Sequence, residues 1–307
     1  MTVPSYGKVA AIGHRSIPDL FNGPYEVTEK LDGSAFGFGI GHDGKLLARS
    51  KNKQIDLDGV QENDLFYPAI ETIRGLYRRN ELSRKWWYYG EAFKKPKHST
   101  LTYDRVPEGN IALYGVMAQD DERAWLDAMD LSYMAQTLRL EVVQTLPHMN
   151  AEEIVEFMRD PPESQLGGVP MEGVVVKNYA HEMLYGPNLY PFQRGKYVGE
   201  AFKEVNKANW KADNTAKGGW EAYKSQFRTE ARWVKAVGTM REMGILKGEP
   251  SDIGQLMNFV QKDVSEECKE EILAFLWKQF GKELLRVAAN GLPEWYKEQL
   301  ALGNIDV

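Results

Sequence analysis

The chain has 307 residues, enough for two domains, and its 43% apolar and 27% charged residues fit a soluble globular protein. A formal charge of −6 excludes a basic protein that coats nucleic acid, though not a local basic surface. The single cysteine, Cys268, excludes an internal disulfide and a cysteine zinc cluster. A reducing cytosol is therefore the expected compartment. No apolar run approaches the roughly 18 residues of a membrane span, and the first residues carry no signal-peptide pattern. The expectation is a cytoplasmic protein with no membrane association and no obligate protein partner.

In chain order, residues 1–24 read as short turns punctuated by Gly7, Gly13, Pro18, Gly23 and Pro24. Residues 25–50 read as an antiparallel hairpin. Alternation runs through Tyr25, Val27 and Glu29, then Phe36, Phe38 and Ile40, with His42-Asp43-Gly44 as the turn. Gly39-x-Gly41-x-x-Gly44 matches a dinucleotide fingerprint only superficially, because no helix follows it. Leu65, Phe66, Ile70, Ile73, Leu76 and Tyr77 share one face of a helix predicted over 62–82. Strands are predicted over 86–93 and 111–118, helices over 122–140 and 151–159, and strands over 173–177 and 189–198.

From residue 216 strand-like alternation almost vanishes. Helices are predicted over 217–243, 251–262, 265–286 and 292–301, with Ser251-Asp252 and Ser265 as N-caps and Gly281 and Gly291 as breaks. The fold class is α+β: antiparallel sheets flanked by helices over 1–230, then a small all-helical domain over 231–307. Between Lys196 and Gly248 there are eleven Lys/Arg against six Asp/Glu, a local excess that suits either a solvated helix surface or an RNA backbone.

The chemistry centres on Glu29-Lys30-Leu31-Asp32-Gly33-Ser34. A lysine amine can act as a covalent nucleophile, an aspartate keeps its surroundings polar, and a glycine lets backbone approach a ligand closely. Alone, the same residues read as a hairpin with an exposed lysine. Further along lie Tyr89-Gly90-Glu91-Ala92, Leu113-Tyr114-Gly115-Val116, Met171-Glu172-Gly173-Val174-Val175-Val176-Lys177 and Gly195-Lys196-Tyr197-Val198. The order and spacing of these five segments resemble the covalent nucleotidyltransferases, which include polynucleotide ligases and mRNA capping guanylyltransferases. Strict alternation along a strand puts Glu172 and Lys177 on opposite sides, so a bulge or a strand end must re-aim one of them.

The resemblance implies that Lys30 attacks the α-phosphate of a nucleotide, with Lys177 and Lys196 neutralising phosphoryl charge. It implies that Glu91 binds a ribose hydroxyl, Tyr114 stacks on the base and Glu172 holds a catalytic Mg2+ or Mn2+. Glu29, Asp32, Gly33 and Lys51 complete the expected nucleotide site. The helical tail, with Asp252-Ile253-Gly254-Gln255-Leu256-Met257, resembles the bacteriophage-type RNA ligase 2 family, related to RNA-editing ligases. That likeness implies an ATP-dependent RNA ligase joining 3′-hydroxyl and 5′-phosphate ends at nicks in duplex RNA. The alternatives are a DNA ligase, an mRNA guanylyltransferase, or a non-catalytic RNA-binding protein that retains the pocket.

The sequence departs from the pattern in three segments. Asp32 and Ala35 stand where the phage-type enzymes often carry His and Asn. Ser50-Lys51, preceded by Arg49, stands for Ser-Arg, and lysine lacks the bidentate fork of arginine. The usual Lys-x-Lys reads Lys196-Tyr197-Val198, so either one phosphate-binding lysine is missing or Arg194 and Lys196 act together. His14, His98 and His181 show no metal-ligand spacing and are given no role.

Overall fold

The computed structural model describes residues 2–199, 220, 223–302 and 304. The chain divides into two compact units, one of 1–204 with 234–248 and the other of 205–233 with 249–307.

The first unit builds its strands from the aromatic and β-branched runs. In chain order they are β1 (Ala10–Ala11), β2 (Glu26–Lys30), β3 (Ser34–Ile40), β4 (Leu46–Ser50) and β5 (Gln54–Ile55), followed by helix α1 (Tyr67–Arg78). Then come β6 (Trp86–Ala92), β7 (Ile111–Ala118), α2 (Ala128–Leu138), β8 (Glu141–Val142) and α3 (Ala151–Phe157). The unit continues with β9 (Gly173–Asn178), β10 (Met183–Tyr185), β11 (Asn188–Tyr190) and β12 (Gln193–Val198).

Two main sheets result. A six-stranded sheet runs β5-β4-β3-β6-β7-β8, and a four-stranded sheet runs β1-β12-β9-β2. All pairs in them are antiparallel except β7 with β8 and β1 with β12. On one face of the large sheet, Phe36, Phe38 and Tyr88 pack against Ala69, Ile70, Ile73 and Leu76 of α1. These are the positions that the 3.6-residue period of the helix brings to one side. In the smaller sheet Val27, Val174 and Val176 pack against Ile154 and Met158. The α+β class is as expected from the sequence.

The expected hairpin over 25–50 forms only in its second part. β3 and β4 pair around the 41–45 turn, while β2 belongs to the other sheet beside β9. The Lys30 segment therefore joins two sheets, which local alternation cannot distinguish from a hairpin. The strand expected over 189–198 is broken into β11 and β12, because Pro191 cannot donate to a ladder.

From residue 230 the chain is helical: α4 (Glu230–Glu242), then α5 (Ile253–Glu267), α6 (Lys269–Ala288) and α7 (Leu292–Ala301), the last three in the second unit. The division between the units falls within α4. Residues 217–219, 221 and 222, at the start of the helix expected over 217–243, lie outside the described residues. Arg232, almost fully buried, ion-pairs with Asp263 and donates to Cys268 Sγ at 3.6 Å. The Tyr223 and Phe275 rings stack at 3.8 Å. Two expected boundaries are corrected: Ser265 lies inside α5 and Gly281 inside α6, with the break at Cys268. Gly291 does separate two helices, at φ +81°, a conformation that glycine adopts without steric cost.

Candidate active site

Strand register gathers the charged residues on one face of the four-stranded sheet. Lys30 stands opposite Gly173, Thr28 opposite Val175 and Glu26 opposite Lys177. On the other side of β9, Val198, Lys196 and Arg194 stand opposite the same three residues. Side chains alternate along a strand, so these three rows all point the same way. Glu172 precedes β9 and is free of its alternation. Its Oε2 accepts from Lys30 Nζ at 2.6 Å. A strand end thus resolves the conflict between Glu172 and Lys177. Gly173 permits the turn into the strand, because a Cβ there would sit 2.1 Å from the Tyr197 carbonyl oxygen.

Lys30 is held as an ammonium ion. Burial alone would lower its pKa, but the Glu172 carboxylate, with Glu91 and Asp32 further off, outweighs that and the net shift is upward. Glu172 is itself pushed up by burial, against the pull of Lys30 and Lys196. Glu91 rises further, to about 8, through burial and the nearby acid Glu242, despite Lys30.

Glu91 lies on β6 opposite Ala35. The β6–β7 register slips here: Tyr89 pairs with Gly115 and Gly90 with Leu113, which leaves Tyr114 as the extra residue of a bulge. Bulges re-aim side chains, and this one gives Tyr114 a place of its own. Its ring meets Tyr6 edge-on at 4.7 Å. Gly90 is required at the bulge, since a Cβ would approach the Ala112 carbonyl oxygen to 2.7 Å.

Several expected ligands are engaged elsewhere. Glu29 points to the opposite side of β2, where it accepts from Ser164 Oγ at 2.5 Å and Gln165 N at 3.0 Å. Asp32 accepts from the Thr100 and Leu101 amides at 2.6 and 2.7 Å and so clamps that loop. Gly33 leaves room for Phe93, whose ring would lie 2.8 Å from an added Cβ. Lys177 is buried, its Nζ 2.6 Å from Glu26 Oε1 and 2.7 Å from the Tyr114 carbonyl oxygen. Lys51 is exposed on the turn after β4. Arg49 beside it spends its guanidinium on the carbonyls of Val3, Ser50 and Lys51.

Arg194 is 1% exposed, and its guanidinium lies over the rings of Phe192, Tyr6 and Tyr190 at 4.3, 4.5 and 5.3 Å. Its guanidinium is thus packed within aromatic rings, and its Nε and Nη1 make no hydrogen bond among the described residues. The structure brings Lys30, Glu172, Glu91, Tyr114 and Lys196 together, with Asp32 at the margin.

Sequence reasoning missed Tyr6, which joins Tyr114, Tyr89, Trp125 and Arg194. It also missed the pairing of His98 with Ser34. His98 Nε2 donates to Ser34 Oγ at 2.9 Å, and burial, with Arg241 and Lys95 adding to it, lowers the pKa of His98 to about 4. No local signal marks any of these residues.

Among the described residues no three His, Cys, Asp or Glu side chains form a metal-binding group. The site suits only a cation that takes one or two carboxylates and fills its shell with phosphate and water, as Mg2+ does. Glu172, beside Lys30, has the chemistry for that. Among the described residues no helix is long and apolar enough to cross a membrane.

A family model described as RNA ligase matches residues 23–198, more than half of the chain. No curated protein matches it. Among solved structures, a Naegleria gruberi RNA ligase variant with ATP and Mn is 19% identical, with a TM-score of 0.47. The match covers 66% of this chain and 58% of that one. A second variant of the same ligase, with AMP and Mn, gives 19%, 0.48 and the same coverages. The form with PPi gives 20% and 0.44, again covering 66% and 58%. The chain thus spans 58% of the length of these matched structures.

Proposed function

The chain belongs to the RNA ligase family, and we propose that it is an ATP-dependent ligase that joins an RNA 3′-hydroxyl to a 5′-phosphate. One observation carries the reading: Lys30 Nζ lies 2.6 Å from Glu172, on the sheet face that also carries Lys196.

In this reading Lys30 attacks the α-phosphate of ATP, releases pyrophosphate and becomes lysyl-AMP. The AMP then passes to an RNA 5′-phosphate, and the RNA 3′-hydroxyl displaces it. Glu91 binds the ribose, and the Tyr114 ring stacks on the base. Lys196 offsets charge on the phosphoryl group. Lys30 attacks only as the free amine, and the Glu172 ion pair opposes that form. A divalent cation bound at Glu172, Mg2+ or Mn2+, would neutralise that carboxylate and polarise phosphoryl oxygens. Glu172 is thus both the restraint on Lys30 and the residue that would hold the metal.

The helical unit is proposed to hold RNA through its backbone and A-form shape, with nicks in duplex RNA as the substrate and RNA repair as the context. A bacteriophage-type enzyme working in the cytoplasm fits this reading. The test uses the full chain with ATP, Mg2+ and a duplex carrying one 3′-hydroxyl/5′-phosphate nick. Sealing of an RNA nick in preference to a DNA nick, with ATP and not GTP, is the expected result. Preferential sealing of DNA, or use of GTP, would overturn it.

A further inference from the structure

Helix α6 carries an exposed apolar seam. Leu273, Trp277, Phe280, Leu284 and Val287 follow one another at steps of four, three, four and three residues. At 3.6 residues per turn these positions fall within an arc of about 80°. They are 49, 61, 45, 61 and 62% exposed. On the opposite side of the helix Phe275 stacks on Tyr223 at 3.8 Å, so the seam is turned away from that packing. Lys278, Lys282 and Arg286 belong to the same opposite half. Gly281 is buried beneath the Trp277 ring, which an added Cβ would approach to 3.1 Å, so the indole lies along the helix.

Single exposed apolar side chains are ordinary on a protein surface, whereas a stripe of large ones marks an interaction site. Alternating steps of four and three are the repeat of a coiled coil, in which each seam side chain enters a hole between four residues of a facing helix. The spacing therefore calls for another helix with the same repeat. α6 itself has that repeat, and two copies satisfy each other about a two-fold axis. Charge chooses the direction. Glu270 and Glu271 stand in the first turn of α6, and Lys282 and Arg286 stand toward its end. Antiparallel copies set these unlike ends side by side and oppose the two helix dipoles, whereas parallel copies set like against like.

We propose that the α6 seam is the interface of an antiparallel homodimer, in which Trp277 of each copy packs on Phe280 of the other and Leu273 on Leu284. The two aromatic anchors lie at the centre of the seam, where interface energy concentrates. The proposal concerns the helical unit alone and does not depend on the ligase reading above.

The test is the solution mass of the full chain by light scattering over a concentration series. Wild type is compared with Trp277→Glu, Phe280→Lys, Leu284→Gln and an equimolar mixture of the first two variants. The substituted side chains are exposed within one chain, and far-UV circular dichroism of each variant checks that the helices are kept. Wild type should show the mass of two chains. Loss of a central aromatic anchor weakens an interface roughly 30-fold or more, so each variant alone should shift toward the mass of one chain. The mixture should associate again, because antiparallel pairing brings the introduced glutamate of one variant against the introduced lysine of the other. Parallel pairing would not, so a mixture that stays monomeric would overturn the proposal. A wild type with the mass of one chain at about 100 μM would also overturn it. Binding of that monomer to anionic phospholipid vesicles or to an RNA duplex would then give the seam to that partner. A dimer that all three variants leave intact would overturn it too, as one formed through another surface.

Discussion

Replacing Lys177 by methionine separates two roles that the sequence leaves confounded. The Lys177 ammonium is buried, with its Nζ 2.6 Å from Glu26 and 2.7 Å from the Tyr114 carbonyl oxygen. Tyr179 also donates to Glu26, at 3.0 Å. Methionine keeps the length of the side chain and removes the charge, which leaves the Glu26 carboxylate with one donor among these contacts. Breaking a buried pair by removing one partner costs about 3–5 kcal/mol. At about 2–4 °C per kcal/mol for a unit of this size, Lys177→Met should lower the melting temperature by roughly 6–20 °C. Adding Glu26→Gln removes the stranded charge, so the double variant should recover much of the loss, with a coupling of about 1–3 kcal/mol. At low temperature and saturating ATP, Lys177→Met should still form the lysyl-nucleotide, more slowly because Tyr114 has lost the donor on its carbonyl. The assays are calorimetric melting and single-turnover labelling on wild type, Lys177→Met, Glu26→Gln and the double variant. A variant that melts like wild type yet takes no label would refute the structural account and return Lys177 to the chemistry.

Glu91→Gln should change the pH dependence of stability. The folded pKa of Glu91 stands at about 8, above its unfolded value, so its contribution is fully present below the unfolded pKa and is lost as pH rises through about 8. Melting of wild type and variant should therefore diverge in favour of glutamine from pH 5 to pH 9, and parallel curves would contradict this. His98 has the opposite sign: its folded pKa is lowered to about 4, so its contribution is present above the unfolded value and lost on acidification through about 4. His98→Gln should flatten that acid limb, and an unchanged limb would count against it. Val198 stands opposite Gly173, in the row of Lys30. Val198→Lys adds a cation there, and a charge-assisted contact of about 1.5–3 kcal/mol with phosphate should speed lysyl-AMP formation roughly tenfold or more; an unchanged rate would show that no cation is missing.

The sequence makes the α+β class and most strands legible because aromatic and β-branched runs such as Trp86–Ala92 and Ile111–Ala118 carry their own signal. It misplaces Glu26–Lys30, since alternation reports a strand and not its sheet. The same limit applies to the site. Lys30, Glu91, Tyr114, Glu172 and Lys196 are legible as motifs, but whether a charged side chain faces substrate or a buried partner depends on register. Glu29 with Ser164, Lys177 with Glu26 and Arg194 within its aromatic cage are cases where long-range packing decides. Gly281 and Ser265 look like punctuation yet lie inside helices, because either residue costs a helix interior only about 1 kcal/mol or less. Tyr6 reaches the site from a distant stretch of chain and has no local pattern at all.

The central claim is that Lys30 forms a covalent bond to AMP. Full-length protein is mixed with Mg2+ and ATP labelled on the α-phosphate, denatured, and examined for label beside GTP and a Lys30→Ala variant. The account predicts label from ATP on wild type, none from GTP and none on the variant. Label that persists on Lys30→Ala would contradict it, and so would a wild type that takes no label and whose intact mass shows no AMP already attached.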